Sequence, residues 1–227
     1  MTSSLAVKHP AAYSPGVLDV FAELLADRFP SGSRLLDPFA GTGRIHLLGS
    51  EPRFNLRYQT IGVELEPEWA AMHPATIVGD ATALPFVDQS IELAASSCTY
   101  GNRMADCHEA RDGSYRRTYR HVLGRPLHPN NSGGMQWGAA YRELHERAWG
   151  ELLRVLVPGG LFALNVKDHQ RQGRRAEVCR WHLDCLAGLG FALIEQREVA
   201  APGFRFGQNH AARYPEMAYL LETPGHG

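Results

Sequence analysis

The sequence predicts an α/β protein whose core is a mostly parallel sheet of seven strands, with helices on both faces. Three observations support this fold class. A glycine-rich turn joins a short apolar strand, residues 34–36, to a helical segment. Further short apolar strands then alternate with helices and turns, as in parallel sheets with crossover connections. The last two predicted strands, 191–195 and 217–221, are separated by a polar loop at 204–214, and we expect them to form an antiparallel pair.

Length and composition place the chain among ordinary globular proteins. Its 227 residues fit one domain, 1–227, that is large enough to bury a core. It is 44% hydrophobic and 21% charged, which is typical of a folded domain. The formal net charge of -1 excludes a generally basic coat for nucleic acid, although a local basic patch remains compatible with it.

Cysteine usage and the apolar segments favour a cytoplasmic protein. The four cysteines form no C-x-x-C pair, which favours a reducing compartment. No apolar run approaches the roughly 20 residues that span a bilayer. The N-terminal segment lacks the apolar core of a signal peptide. We therefore expect no membrane partner and no export.

The glycine-rich turn at 37–43, Asp-Pro-Phe-Ala-Gly-Thr-Gly, is the best candidate for a ligand site. Gly41 and Gly43 let the backbone pass close to a ligand. The helix that begins at Arg44 would offer free N–H groups to the carboxylate of a small cofactor. The spacing is not G-x-G-x-x-G, so a dinucleotide is a poor match. A plain strand-to-helix turn without a ligand is the alternative.

Acidic or polar residues end the next three predicted strands. Glu64 ends the second strand, Asp80 and Ala81 follow the third, and Ser97 follows the fourth, residues 91–96. Because parallel strands bind ligands at their carboxyl ends, these residues are expected to converge at one edge. An acid about 20 residues beyond a glycine turn can accept hydrogen bonds from both hydroxyls of a ribose. Alternatively, Glu64 faces solvent beside a helix N-terminus.

The turn at 37–43 resembles motif I of S-adenosylmethionine-dependent methyltransferases, and its form is similar to that of DNA amino-methyltransferases in particular. The resemblance implies a Rossmann-like class I methyltransferase fold with S-adenosylmethionine as cofactor. In it, Asp80 contacts the exocyclic amine of adenine and Ala81 lies beside the ring. The segment 9–15 corresponds to motif X, or else it simply leads into a first helix packed on the sheet. The implied cofactor residues are Asp37, Phe39, Gly41, Gly43, Glu64, Asp80, Ala81 and Ser97.

The residues Ser97-Cys98-Thr99-Tyr100 resemble the family's catalytic motif, with Cys-Thr in place of Pro-Pro. In the family, the first side chain and the next carbonyl accept hydrogen bonds from the target amine, and the aromatic ring stacks on the extruded base. The resemblance therefore implies catalytic roles for Ser97, Cys98 and Tyr100. Without prolines to fix two φ angles, the loop is less constrained or suits another substrate. A strand end with no role in methyl transfer is the alternative.

Two other roles for the cysteines are weaker. Cys98 as a covalent nucleophile lacks the Pro-Cys and Glu-Asn-Val sequences of cytosine C5 methyltransferases. Zinc binding by Cys179, His182 and Cys185, or by Cys98 with Cys107 and His108, lacks a familiar ligand spacing. Buried cysteines and surface histidines are the preferred interpretation, and we predict no metal.

An irregular segment at about 103–137 is predicted to be an insertion beside the active site. It interleaves arginines with aromatic residues, as contacts with phosphates and bases require. A solvated charged loop is the alternative. A second basic cluster, Arg171, Arg174, Arg175 and Arg180, follows the fifth strand at 161–168. The predicted substrate-binding residues are Asn102, Arg103 and Lys167.

The first functional hypothesis is an enzyme that methylates an exocyclic amine of a DNA base, cytosine N4 or adenine N6. Ser97 favours cytosine, because serine often begins the catalytic motif of the N4 enzymes. The expected partner is nucleic acid, DNA rather than RNA, with specificity supplied by loops or by a partner. RNA or a small molecule as acceptor is the second hypothesis. A non-catalytic S-adenosylmethionine-binding regulatory module is the third.

Overall fold

Seven strands form one twisted sheet at the centre of the molecule. The computed structural model describes residues 13, 15–54, 56–101, 122–200 and 214–225. The described residues form nine strands: β1 (Arg34–Asp37), β2 (Gln59–Glu64), β3 (Thr76–Val78), β4 (Ile91–Ser96), β5 (Leu156–Lys167), β6 (His169–Arg171), β7 (Arg174–Ala176), β8 (Ala192–Val199) and β9 (Glu216–Glu222). The spatial order of the central sheet is β3-β2-β1-β4-β5-β9-β8, whereas β6 and β7 form a separate hairpin.

Strand directions in the sheet agree with the sequence prediction. The pairs from β3 across to β5 are all parallel. Strand β9 inserts between β5 and β8 and runs antiparallel to both. The last two strands are therefore an antiparallel pair, and β9 begins at the edge where the parallel strands end.

Helices cover both faces of the sheet. The described ranges include the α-helices α1 (Pro15–Leu25), α2 (Leu47–Ser50), α3 (Pro67–Ala70), α4 (Ala139–Val155) and α5 (Val178–Gly188). Successive residues of a strand point to opposite faces, so Leu35 packs with α1 whereas Leu36 packs with α4 and α5. The apolar core is thereby divided into two layers. The predicted Rossmann-like, mostly parallel α/β fold is confirmed.

Three local features differ from the sequence prediction. The helix after the glycine turn is only a 3-10 turn, Arg44–His46, followed by the four residues of α2. It ends at Glu51, which precedes Pro52 and has the extended conformation favoured before proline. The fifth strand begins at Leu156, and its Pro-Gly-Gly segment shifts the register against β4. The hairpin of β6 and β7 was not expected.

Part of the predicted insertion lies outside the described residues. This part, residues 103–121, includes Arg103, Cys107 and His108, and the preceding Asn102 is also outside the described residues. Residues 122–137 are described, and they cross the carboxyl ends of β2, β3 and β4, as shown below. No helix in the described ranges combines the length and apolarity needed to cross a membrane.

Candidate cofactor and acceptor site

The glycine turn is tied to the end of β2. Gly41 and Gly43 have φ angles of 53° and 77°, in the left-handed region that favours glycine. A Cβ atom on Gly43 would lie 2.9 Å from side-chain atoms of both His46 and His73. The amide nitrogen of Gly41 donates a hydrogen bond of 2.8 Å to Oε2 of Glu64. The turn therefore has both the conformation and the tight packing that glycine allows.

Asp37 is fully buried at the end of β1. The hydroxyl of Tyr13 donates to its Oδ2, and the amide nitrogen of Phe39 donates to its Oδ1 at 3.0 Å. Burial raises the pKa of Asp37 to about 6, although these hydrogen bonds lower it. Tyr13 also accepts a hydrogen bond of 3.0 Å from the amide nitrogen of Ser97. One tyrosine thus links the ends of β1 and β4.

Glu64 lies at the end of β2 with only 7% of its surface exposed. Its Oε1 accepts a hydrogen bond of 2.9 Å from the amide nitrogen of Glu66, and Oε2 accepts the one from Gly41. Burial raises its pKa to about 7. Because a carboxylate has about four lone-pair positions, two remain for a ligand. The interpretation of Glu64 as a solvent-facing residue is wrong.

Asp80 is engaged by the insertion. Its Oδ1 accepts hydrogen bonds of 2.8 Å from both the amide and the hydroxyl of Thr82. Its Oδ2 accepts a hydrogen bond of 2.9 Å from Nδ2 of Asn130. Burial raises the pKa of Asp80, but the bonds from Asn130 and Thr82 outweigh it and lower the pKa overall. The neighbouring Ala81 is buried in the core.

Glu66 anchors the same segment, which we call loop 125–134. The amide nitrogen of His128 and Nδ2 of Asn131 donate to its Oε1 at 2.8 and 2.9 Å. Arg125 lies 2.7 Å from its Oε2 and also pairs with Glu68. The guanidinium of Arg125 therefore pairs with two carboxylates of the protein and is not free to bind a phosphate. Sequence reasoning missed Glu66, although the alternating acids at 64, 66 and 68 were a signal.

A second polar cluster joins the ends of β4, β5 and β9. The hydroxyl of Ser97 donates to Oδ1 of Asn165 at 2.8 Å. The hydroxyl of Tyr100 lies 3.1 Å from that same Oδ1 and 3.1 Å from Oε1 of Glu216. Asn165 is fully buried, and its Nδ2 donates to the carbonyl of Met217 at 3.0 Å. Sequence analysis missed Asn165, whose signal is a lone polar residue in an apolar strand. It also missed Glu216, for which we find no signal.

The active-site loop is held in place without prolines. The hydroxyl of Tyr141 donates a hydrogen bond of 2.6 Å to the carbonyl of Thr99. The hydroxyls of Thr99 and Ser132 lie 2.8 Å apart. Cys98 is 3% exposed, and burial raises the pKa of its thiol to about 12. A thiol with so high a pKa is a poor nucleophile at neutral pH.

The buried side chain of His182 holds the hydroxyl of Tyr141 in place. Nε1 of Trp149 donates to Nδ1 of His182 at 3.0 Å, and Nε2 of His182 lies 3.0 Å from the hydroxyl of Tyr141. Burial, and then His145, lower the pKa of His182 well below 6.5, so the ring is neutral with its hydrogen on Nε2. A chain of donors therefore runs from Trp149 to the carbonyl of Thr99.

The sequence favoured surface histidines over a zinc site, and for His182 this interpretation is wrong because its side chain is fully buried. Among the described residues, no group of three or more His, Cys, Asp or Glu side chains could hold a metal ion. Cys179 is a buried free thiol, as predicted, whereas the free thiol of Cys185 is only half-buried.

The other predicted site residues have different environments. Phe39 stacks on His145, with ring centres 5.3 Å apart, and packs against the core. Lys167 is half-buried at the end of β5. Three of the four clustered arginines are engaged within the protein: Arg171 with the carbonyl of Trp137, Arg175 with Asp168, and Arg180 with Asp184.

Comparison with solved structures identifies the fold. The cyclase SpnF shares 17% identity with a TM-score of 0.58, over 92% of this chain and 82% of that one. A methyltransferase bound to the Haloferax volcanii Trm112 activator shares 14% identity with a TM-score of 0.58, over 93% and 90%. A TehB-like S-adenosylmethionine-dependent methyltransferase from Corynebacterium glutamicum shares 19% identity with a TM-score of 0.52, over 92% and 87%.

The chain has the fold of S-adenosylmethionine-dependent methyltransferases. No protein-family model and no curated protein matches the sequence. At identities below 20%, the likeness extends to the methyltransferase fold and not to a particular reaction. The presence of a cyclase among these structures makes the same point.

Proposed function

We propose that this protein is an S-adenosylmethionine-dependent methyltransferase that acts on an exocyclic amine of a DNA base, cytosine N4 or adenine N6. The observation that carries the proposal is the pairing of Ser97 and Tyr100 with the same Asn165 oxygen, at 2.8 and 3.1 Å. This pair lies at the sheet edge where Asp37 and Glu64 also end their strands. Polar groups suited to a cofactor and to an acceptor therefore share one edge.

The residues present fit S-adenosylmethionine. Glu64 keeps lone pairs for the two ribose hydroxyls, and Asp80 offers a carboxylate to the exocyclic amine of adenine. The left-handed turn at Gly41 and Gly43 leaves room for close approach of the ligand. Asp37, Phe39, Ala81 and Ser97 complete the proposed cofactor set. The bound cofactor would supply an electrophilic methyl group on a positively charged sulfur.

The chain's own residues would orient the acceptor. An exocyclic amine is a weak nucleophile because its lone pair is delocalised into the ring. Hydrogen-bond acceptors that localise the lone pair and align it supply much of the required rate enhancement. Here the Ser97 hydroxyl and the Cys98 carbonyl take that role. The ring of Tyr100 stacks on the base, while its hydroxyl lies 3.1 Å from an oxygen of both Asn165 and Glu216 and can donate to either one.

Contacts with the nucleic acid would come from the loops and from Lys167 beside the site. Asn102 and Arg103 belong to this proposed surface and lie outside the described residues. Lys167 ends β5 opposite Glu216, at the edge where the acceptor would bind. Its charge suits a phosphate close to the target base.

The decisive experiment incubates purified protein with isotopically labelled S-adenosylmethionine and, separately, duplex DNA, single-stranded DNA and bulk RNA. Nucleoside mass spectrometry then identifies the product. We expect labelled N4-methylcytosine or N6-methyladenine in DNA. Label in RNA alone would replace DNA with RNA as the acceptor. Cofactor binding without label in any nucleic acid would favour a small-molecule acceptor or a regulatory module.

Tyr100→Ala distinguishes a catalytic from a regulatory protein. We expect it to lower transfer roughly 5- to 150-fold, since base stacking is worth about 1–3 kcal/mol. The cofactor dissociation constant should stay unchanged within about twofold, because Tyr100 is assigned to the acceptor and not to the cofactor. Tyr58→Phe is the matched control, because the hydroxyl of Tyr58 bonds to the carbonyl of Leu25 in the opposite core layer. Equal transfer by the Tyr100→Ala variant and the wild type would contradict the proposed role.

A further inference from the structure

Glu216 lies at the proposed acceptor site because β9 runs antiparallel to its neighbours β5 and β8. An antiparallel strand presents its first residue at the edge where parallel strands present their last. Glu216 begins β9 and lies opposite Lys167, the last residue of β5. Its Oε1 lies 3.1 Å from the hydroxyl of Tyr100. A carboxylate from the far end of the sequence is thus placed beside Ser97 and Tyr100.

Three oxygen–oxygen contacts join Ser97, Tyr100, Asn165 and Glu216, but only two hydroxyl hydrogens are available to bridge them. The bond from Nδ2 of Asn165 to the carbonyl of Met217 turns Oδ1 of Asn165 towards both hydroxyls. The single hydrogen of Ser97 goes to that Oδ1. The single hydrogen of Tyr100 can go to Asn165 or to Glu216, but not to both. At least one oxygen contact in the cluster therefore lacks a hydrogen when Glu216 is ionised.

Glu216 contributes a carboxylate, which when ionised can only accept hydrogen bonds. Within the described ranges, Glu216 forms no ion pair, and its side chain is half-buried. A partly buried carboxylate favours a ligand that brings N–H donors. An amino group carries such donors. A carbonyl or carboxylate group in the same place would be repelled, because its lone pairs would face those of the Glu216 carboxylate.

We propose that Glu216 accepts an N–H hydrogen bond from the acceptor and then takes its proton, so that this site selects amines over carbonyl and anionic groups. The proposal rests on the methyl-transfer function proposed above and adds a residue and a substrate class to it. Glu216 is then a catalytic residue, whereas Asn165 positions Ser97 and Tyr100.

The proposed step balances without another reactant. The lone pair of the amine nitrogen forms a bond with the methyl carbon, while the carbon–sulfur bond breaks and its electron pair stays on sulfur. The nitrogen becomes positively charged and loses one of its hydrogens as a proton to Glu216. Glu216 later releases that proton to water. The positive charge of the sulfonium thus leaves the site as a proton.

Binding of free bases tests the selection separately from catalysis. Nuclear magnetic resonance of the Asn165 side-chain amide would follow titration with cytosine or uracil, and with adenine or hypoxanthine. Each pair differs by an amino group in place of a carbonyl. We expect the amino member to bind about tenfold more tightly, since only the amino group can donate a hydrogen bond to the Glu216 carboxylate. Glu216→Ala should bring the ratio close to one, whereas equal wild-type affinities would overturn the proposal.

Kinetics test the proton transfer. Glu216→Gln should lower kcat about 100-fold, the usual contribution of an acid–base group, and leave the cofactor dissociation constant unchanged. Glu222→Gln is the matched control, since Glu222 is exposed at the other end of β9, about 20 Å away at the usual rise per strand residue.

The two proposals fail in different ways. If the Glu216→Gln variant labels DNA as strongly as the wild type does, the role of Glu216 is overturned and the proposed function is preserved. Selection of amino bases that depends on Glu216, with no label in any nucleic acid, would preserve amine selection and overturn DNA as the acceptor. If the Glu216→Ala variant still binds amino bases more tightly than carbonyl bases, another residue is responsible for that preference and the role of Glu216 is overturned.

Discussion

The side-chain amide of Asn130 donates a hydrogen bond of 2.9 Å to Oδ2 of Asp80. The other oxygen of Asp80 is already bonded twice to Thr82, so Oδ2 is the atom best placed for a ligand. An amide NH₂ and the exocyclic amine of adenine are similar donors. In the proposed function, Asn130 therefore occupies the position of the cofactor's adenine amine, and loop 125–134 competes with the cofactor.

Asn130→Ala is expected to tighten S-adenosylmethionine binding about fivefold, because a competing hydrogen bond of about 1 kcal/mol is removed. Isothermal titration calorimetry would measure the dissociation constant. Asn130→Asp serves as a comparison, since it also removes the NH₂ donor from Asp80. Weaker binding by Asn130→Ala would mean that Asn130 contacts the cofactor instead of competing with it.

Cofactor binding should release a proton near pH 7. In the free protein, the pKa of Glu64 is about 7, so about half of the molecules are protonated at that pH. Ribose hydroxyls donate to the ionised carboxylate, which lowers its pKa and expels the proton. Calorimetry in two buffers of different ionisation enthalpy should show release of up to about half a proton. Glu64→Gln should abolish it, and an equal heat in both buffers for the wild type would contradict the role of Glu64.

The same carboxyl should make the free protein less stable as pH rises. Burial raises the pKa of Glu64 from 4.5 to about 7, so the native state holds a proton that the unfolded chain loses. Its stabilising contribution is complete below pH 4.5 and is lost as the pH rises through 7. It amounts to about 3 kcal/mol, at 1.36 kcal/mol for each pH unit. Urea unfolding at pH 5 and 8 would show this loss in the wild type and a smaller one in Glu64→Gln.

Tyr141→Phe should affect both stability and transfer. It removes the donor to Thr99 and leaves Nε2 of His182 without its acceptor, at a cost of about 1–3 kcal/mol in the free energy of unfolding. The looser loop should also lower kcat about tenfold, with cofactor binding unchanged. Tyr58→Phe should cost similar stability with no effect on kcat. Equal kcat values for the two variants would show that the bond to Thr99 is purely structural.

Cys98→Ala should retain methyl transfer within about threefold, because only the carbonyl of residue 98 is assigned a role and removing one buried atom costs little. The native thiol should also resist iodoacetamide at pH 8, since burial holds its pKa at about 12. Mass spectrometry would follow alkylation, with the half-buried Cys185 as the internal comparison. A fall in activity of more than about 100-fold would instead support a covalent nucleophile.

The amino-acid sequence was sufficient for the fold. Periodic apolar strands, the turn at Gly41 and Gly43, and the acids at strand ends are local signals, and parallel strands place their carboxyl ends together. Asp37, Glu64 and Ser97 could therefore be located from chain position alone. The antiparallel direction of β9 was also predicted, since the sequence between the last two strands indicates a polar loop.

Tertiary structure decided which groups meet across long separations in the chain. Glu216 lies beside Tyr100 only because β9 inserts between β5 and β8, and Asn130 reaches Asp80 only because loop 125–134 folds back over β2 and β3. His182 is buried, and not on the surface as predicted, because α5 packs its ring against Tyr141 and Trp149. Such contacts depend on loop paths and side-chain packing, which have no periodic signature. Local sequence patterns thus determine the strands and the edge where they end, whereas packing between distant segments determines the chemistry assembled there.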